Sequence, residues 1–205
     1  MRQGAEVRMS RMANHPRVDA ARAEGADERE LIERVRVREL AAFERLYRLY
    51  QPRLTRFLSN VVQRPQVLEE VVDDTMMVVW ETAGNFRGAS KLSTWIFSIG
   101  YRKALKARAR WPDPVEEDPR DSRPSEEPAP DEQLQQDRLH DALVTAMDSL
   151  SADHRAVVDL TYFHSMGYRE IAEIMDCPVD TVKTRMFHAR RRLREAMGGT
   201  SADWL

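Results

Sequence analysis

The chain has 205 residues, 32% charged and 42% hydrophobic, with a formal net charge of −2. No apolar run exceeds Met76–Trp80, far short of the roughly 20 residues that span a bilayer. The first 30 residues lack the apolar core of a signal peptide, so membrane insertion is excluded and a cytoplasmic location is expected. A single cysteine, Cys177, excludes an internal disulfide and a multi-cysteine zinc site.

Residues 1–30 show no apolar periodicity and read as disordered. Helical spacing starts near Leu31. Phe43, Leu46, Tyr47 and Tyr50 recur at i, i+3, i+4 and i+7, one face of a helix. Pro52 suits the first turn of a following helix that carries Leu54, Phe57, Leu58 and Val61. After Pro65 a third stripe runs through Leu68, Val71, Val72, Thr75 and Val79. This third helix is acidic: Gln66–Glu81 holds Glu69, Glu70, Asp73, Asp74 and Glu81 and no Lys or Arg. Acids at i, i+4 repel, so they form either a solvated face or a docking face for a basic partner.

Gly84–Ser90 reads as a loop. The helix that follows starts at Leu92, Trp95, Ile96 and Ile99, and Arg87–Arg110 holds seven Lys/Arg and no acid. Trp95 and Tyr101 lie among Lys91, Arg102, Lys103, Lys106 and Arg108. Cations track phosphates while aromatics stack on unpaired bases, although Leu92 and Ile99 beside Trp95 argue equally for its burial. The loop Asn85–Lys91 could form the rim for an extruded base. Pro112–Asp131 carries six prolines, and Pro112–Gln136 nine acids against two arginines. This composition predicts a flexible linker.

Beyond it, Leu134, Leu139, Leu143, Met147 and Leu150 mark a helix. Ser151 is placed to N-cap the next, Asp153–Phe163. Tyr168–Met175, a break at Asp176-Cys177-Pro178, and a basic helix Val179–Met197 spell a helix-turn-helix. Lys183–Arg194 holds six Lys/Arg and no acid. Ile171, Ala172 and Ile174 with Val182, Met186 and Leu193 supply the contact between helices. Thr181, Lys183, Thr184, Arg185, Phe187, His188 and Arg191 are left for base edges and phosphates of duplex DNA. The alternative, a solvated basic face on a plain bundle, leaves the coincidence of turn, small residue and one-sided charge unexplained.

The fold class expected is all-α: two small helical modules joined by the acidic linker. No strand pattern or repeat is found. An enzyme reading finds no support: no His has Glu three residues before it, and there is no His-Glu-x-x-His, Gly-x-Ser-x-Gly or phosphate loop. No catalytic residue, metal site or cofactor is expected.

The two modules together resemble the extracytoplasmic-function (ECF) sigma factors of the sigma-70 family. Phe43–Tyr50, Val67–Thr75 with Trp80, and Phe86-Arg-Gly88 followed by Ser93-Thr-Trp-Ile96 are similar to its region 2. Leu150–Arg155, Gly167–Ala172, Asp176-Cys-Pro178 and Thr181–Arg185 are similar to region 4. The resemblance implies an alternative sigma factor with no enzymatic activity. Region 2 would span 31–110, the linker 111–133, region 4 134–197 and a tail 198–205. Its implied partners are RNA polymerase core (β′ clamp helices and β flap), promoter DNA and an anti-sigma factor. Glu69, Glu70, Asp73, Asp74 and Trp80 would bind polymerase. Asn85, Arg87, Ser90, Lys91, Trp95, Ser98, Arg102 and Lys106 would bind and melt the −10 element. Thr181, Lys183, Thr184, Arg185, Phe187, His188 and Arg191 would read the −35 element. Ser98 and Arg102 depart from the family's usual basic residue and Asn, which predicts an unusual −10 preference. Gly167 stands where a Ser cap is usual and Asp180 where Gly is common. The rival reading is a helix-turn-helix regulator that works without polymerase.

Overall fold

The computed structural model describes residues 27–111 and 143–196. Residues 1–26 of the expected N-terminal segment, 112–133 of the expected linker, 134–142 and 197 of the expected second module (with Leu134 and Leu139 of its first helix) and the expected tail 198–205 lie outside the described residues. The first module contains helical residues 27–36 (α1), α2 (Leu40–Leu58), α3 (Pro65–Thr82), a 3-10 turn at Ala83–Asn85, and α4 (Leu92–Arg110). The second contains helical residues 143–148 (α5), α6 (Ala152–Tyr162), α7 (Tyr168–Ile174) and α8 (Val179–Ala196). No strand occurs among the described residues, in keeping with the all-α expectation. Helix α1 includes residues 27–30, which the sequence reading assigned to the N-terminal segment; Arg53 donates to Glu28 at 3.2 Å.

The expected break at Pro52 is absent, and α2 runs unbroken through it. Proline removes one intrahelical donor and costs about 3 kcal/mol in a helix interior. Here Pro52 lies on the exposed face, where water can reach the carbonyl it leaves unpaired. Leu46, Tyr50, Leu54 and Phe57 meanwhile stay in register on the buried one. Burial of several large side chains, each worth about 1.5–3 kcal/mol, outweighs the lost bond.

The first module closes around an aromatic stack. Phe57 stacks on Phe97 at 5.3 Å and on Tyr101 at 6.0 Å. Tyr101 is therefore a core residue, not a base-stacking one, and burial pushes its hydroxyl pKa up to about 12. Gly100, which carries no sequence signal in mid-helix, marks where α4 meets its neighbours. A β-carbon there would sit 3.3 Å from the methyls of both Leu54 and Leu58. Gly100→Val is expected to overpack this crossing and lower stability by about 1–3 kcal/mol, read as a fall in the thermal midpoint.

In the second module Ser151 caps α6 as expected, its hydroxyl accepting from the His154 amide at 3.5 Å. Asp176, at φ 49°, turns the chain between α7 and α8, and the Cys177 amide donates to the Ala172 carbonyl at 3.0 Å. Ile171, Ala172, Ile174, Val182 and Met186 are buried between the helices, as the pattern requires.

The two modules pack together, α7 against α4 and α6 against α2. The junction is charged as well as apolar. Arg56 of α2 donates from Nε to Asp159 of α6 at 3.1 Å, and its guanidinium lies 3.5 Å over the Phe163 ring. Asp159 is only 3% exposed. His164 sits against Phe97 at 4.8 Å. Its Nε2 lies 3.1 Å from the second Asp159 oxygen, though neither atom has an aligned hydrogen-bond partner. Glu170 of α7 accepts from Lys91 at 2.9 Å and from Thr94 at 3.3 Å.

Candidate nucleic-acid and polymerase interface

Three surfaces carry the charged residues singled out from the sequence. On α3, Glu69, Glu70, Asp73 and Asp74 are all exposed, because the helix turns Val71, Val72, Thr75, Met76 and Val79 inward. Two of the acids have internal partners. The Tyr47 hydroxyl donates to Asp73 at 2.6 Å, which pushes the Tyr47 pKa up to about 12. Lys103 of α4 pairs with Asp74 at 2.9 Å. Glu69 and Glu70 make no ion pair or hydrogen bond among the described residues. Trp80 is half-buried, packed on Phe43 at 4.9 Å with the Arg38 guanidinium 5.3 Å over its ring. Met77, on the same helix, is 49% exposed and adds apolar area that the charge pattern did not reveal.

The second surface is the loop before α4 and the outer face of that helix. Asn85 and Arg87 are exposed and Ser90 half-exposed. Gly88, at φ 69°, makes the bend that only glycine adopts freely. Trp95 is half-buried, its ring tilted on Phe86 at 5.2 Å. Arg102 and Lys106 are exposed. One placement differs from the expectation here. Ser98 is only 5% exposed and its hydroxyl donates to the Trp95 carbonyl at 2.8 Å, so it supports the helix instead of facing a strand. It also accepts from Arg102 at 3.3 Å. Lys91, at the N-cap of α4, is held by Glu170 of the second module.

The third surface is α8. Lys183, Thr184, Phe187 and Arg191 are exposed, and Thr181 and His188 half-buried. Phe187 stands out at 64% exposure, an aromatic ring held in solvent beside cations. Lys183 pairs with Asp180 at 2.9 Å, the Thr184 hydroxyl donates to the Asp180 carbonyl at 2.9 Å, and Arg191 lies 3.7 Å from Glu195. Arg185 differs from the expectation: it turns inward, donating to the Asp153 carboxylate and lying 3.7 Å from the Cys177 sulfur. A charge-assisted bond across the α6–α8 junction orients the helix, and it competes with any base contact. His154 of α6, which no motif flagged, lines one shallow groove with Asp180, Thr181, Thr184, Arg185 and His188.

Described residues that are all helical, with a helix-turn-helix, a basic face on its second helix and a separate acid-faced helix, have the form of a DNA-binding protein. Comparison with known proteins narrows the class. The pattern of sigma-70 region 2 matches residues 46–111 and that of sigma-70 region 4 matches residues 140–193. Over 180 residues the chain is 29% identical to the RNA polymerase sigma-H factor of Pseudomonas aeruginosa, spanning 83% of this chain and 93% of that protein. It is 30% identical over 173 residues to the ECF RNA polymerase sigma-E factor of Escherichia coli, spanning 80% and 90%. Among solved structures it is similar to the sigma factor RpoE of Bartonella quintana in complex with the anti-sigma factor NepR (TM-score 0.55, 26% identity, 78% of this chain and 98% of that one). It shares a fold with CnrH in complex with the cytosolic domain of CnrY (TM-score 0.59, 20% identity, 85% and 99%).

The chain belongs to the sigma-70 family and is an ECF sigma factor. It acts as an alternative sigma factor that directs transcription with RNA polymerase. No described helix is long and apolar enough to cross a membrane.

Proposed function

We propose that region 2 spans 31–110 and region 4 134–197, and that each charged surface serves one partner. Glu69 and Glu70, with Asp73 and Asp74 beside them and Trp80 and Met77 along the same helix, dock on the β′ clamp helices of polymerase core. Asn85, Arg87, Ser90, Lys91 and Trp95 form the rim that captures an unstacked −10 base, and Arg102 and Lys106 follow the opened strand. Thr181, Lys183, Thr184, Phe187, His188 and Arg191 meet the −35 duplex, with region 4 seated at the β flap. Ser98 and Arg185 serve as positioning residues. The factor works in the cytoplasm, carries out no chemistry of its own and is restrained by an anti-sigma factor, as its relatives' complexes suggest.

The observation that carries this reading is the separation of sign on the folded surface. The acids of α3 point to solvent from one helix, while the exposed cations and Phe187 project from α8. A regulator working without polymerase has no use for the first of these surfaces. A gel shift with purified core distinguishes the two: the sigma factor gives a promoter-specific shift only with core added and makes only weak, sequence-independent contact with DNA by itself, whereas a stand-alone regulator gives the specific shift alone.

At the −35 surface, alanine at Lys183, Thr184, Phe187 or His188 is expected to weaken promoter binding by about 1–3 kcal/mol per base-reading contact. Arg185→Ala should instead lower the thermal midpoint and weaken all sequences alike. Binding selections on randomised −35 duplexes separate the two behaviours. A relaxed base preference in Arg185→Ala would return that residue to the reading set.

A further inference from the structure

We propose that His154, which lies outside the helix-turn-helix, joins His188 in a proton-dependent contact to a DNA phosphate beside the −35 readers. The inference rests on the assignment of α8 to duplex DNA. The two imidazoles come from different helices, with ring centres 6.3 Å apart, and both open onto the groove lined by Thr181 and Thr184. Phe187 packs edge-on against His188 at 5.5 Å, so the groove borders the residue most exposed for a base contact.

The charged groups facing His154 leave the groove free for an anion. From α6, Asp153 is committed to Arg185. From α8, Asp180 is committed to Lys183. Arg185 and Arg192 add positive charge. From the end of α5, Asp148 is held by Arg155 at 3.6 Å. Helix α7 contributes no residue to the lining.

The orientation of the ring is fixed as well. Its Nδ1 lies 2.9 Å from the Ser151 hydroxyl, so Nε2 is the nitrogen left to meet a ligand. Burial first, then His188 and Arg192, push the His154 pKa below its ordinary value, which keeps the ring neutral near pH 7 in the free protein. A phosphate oxygen at Nε2 favours the charged form and reverses that shift. DNA binding therefore takes up a proton, and affinity rises as pH falls.

The test uses the full chain and a random-sequence duplex of about 20 base pairs, because a phosphate contact does not depend on sequence. Fluorescence anisotropy at pH 8 and pH 6 is expected to show affinity rising about tenfold for the wild type. His154→Ala should lose at least half of that rise on a logarithmic scale and lower the salt slope at pH 6 by about one. His154→Lys should bind tightly at both pH values. A His154→Ala pH profile parallel to the wild type overturns the proposal. Lys183→Ala controls for the underlying assignment: if it too leaves duplex binding unchanged, α8 is not the DNA surface and that assignment fails first.

Discussion

Replacing Glu69 and Glu70 together by lysine is expected to abolish copurification with core RNA polymerase while leaving the helical content of the protein unchanged. The structure makes this pair the sharper choice among the four acids. Asp73 holds the Tyr47 hydroxyl and Asp74 holds Lys103, so reversing either would also strip an internal contact. Glu69 and Glu70 are exposed and carry no such contact among the described residues. Two like charges brought against the basic side of a protein interface turn attraction into repulsion of several kcal/mol, about a hundredfold or more in affinity. Pull-down on immobilised core, with circular dichroism of the variant alongside, reads both halves of the expectation. Undiminished core binding would move the docking site off this face.

Arg56→Glu combined with Glu170→Lys is expected to part the two modules. The first change sets an acid against buried Asp159 and removes the cation over Phe163. The second sets two lysines together at Lys91. Leaving a buried carboxylate unpaired costs about 3–5 kcal/mol. Arg56 is half-exposed, so solvent screening reduces its share to about 1–3 kcal/mol. That shifts the equilibrium between packed and parted modules by about fivefold to a hundredfold. Small-angle scattering should show a larger radius at unchanged helicity, and Arg56→Glu paired with Asp159→Arg should restore the compact form. An unchanged radius would mean that the Phe57, Phe97 and His164 contacts hold the junction without the ion pairs.

The functional weight of this junction lies in what it covers. Lys91 and Thr94 begin the helix assigned to the −10 element, and both are engaged by Glu170. Lys183, Thr184 and Phe187 of α8 remain exposed. In this arrangement the outer face of α8 stays in solvent, while Thr94 is buried and Lys91 is paired with Glu170. Contacts within a chain that mix charge with limited apolar area resemble those of transient interfaces.

The helices, the helix-turn-helix and the sign of each surface were legible in the residues. Periodicity records which face of a helix is apolar, and a run of like charge cannot be buried, so Ile171, Val182 and Met186 read as core and Glu69, Lys183 and Phe187 as surface without any coordinates. Pro52 misled because its cost is local, whereas the gain from keeping Leu54 and Phe57 in register with Leu46 and Tyr50 is collective. Direction within a face was not legible either. Arg185 lies next to exposed Thr184 and two residues before exposed Phe187, yet it turns toward Asp153, 32 residues away. Ser98 and Tyr101 sit in a basic helix, yet neighbouring packing buries both. The meeting of Arg56 with Asp159, and of His154 with His188, depends on contacts between elements distant in the chain. No spacing rule encodes such pairs, because they follow from how whole helices pack and not from the pattern along any one of them.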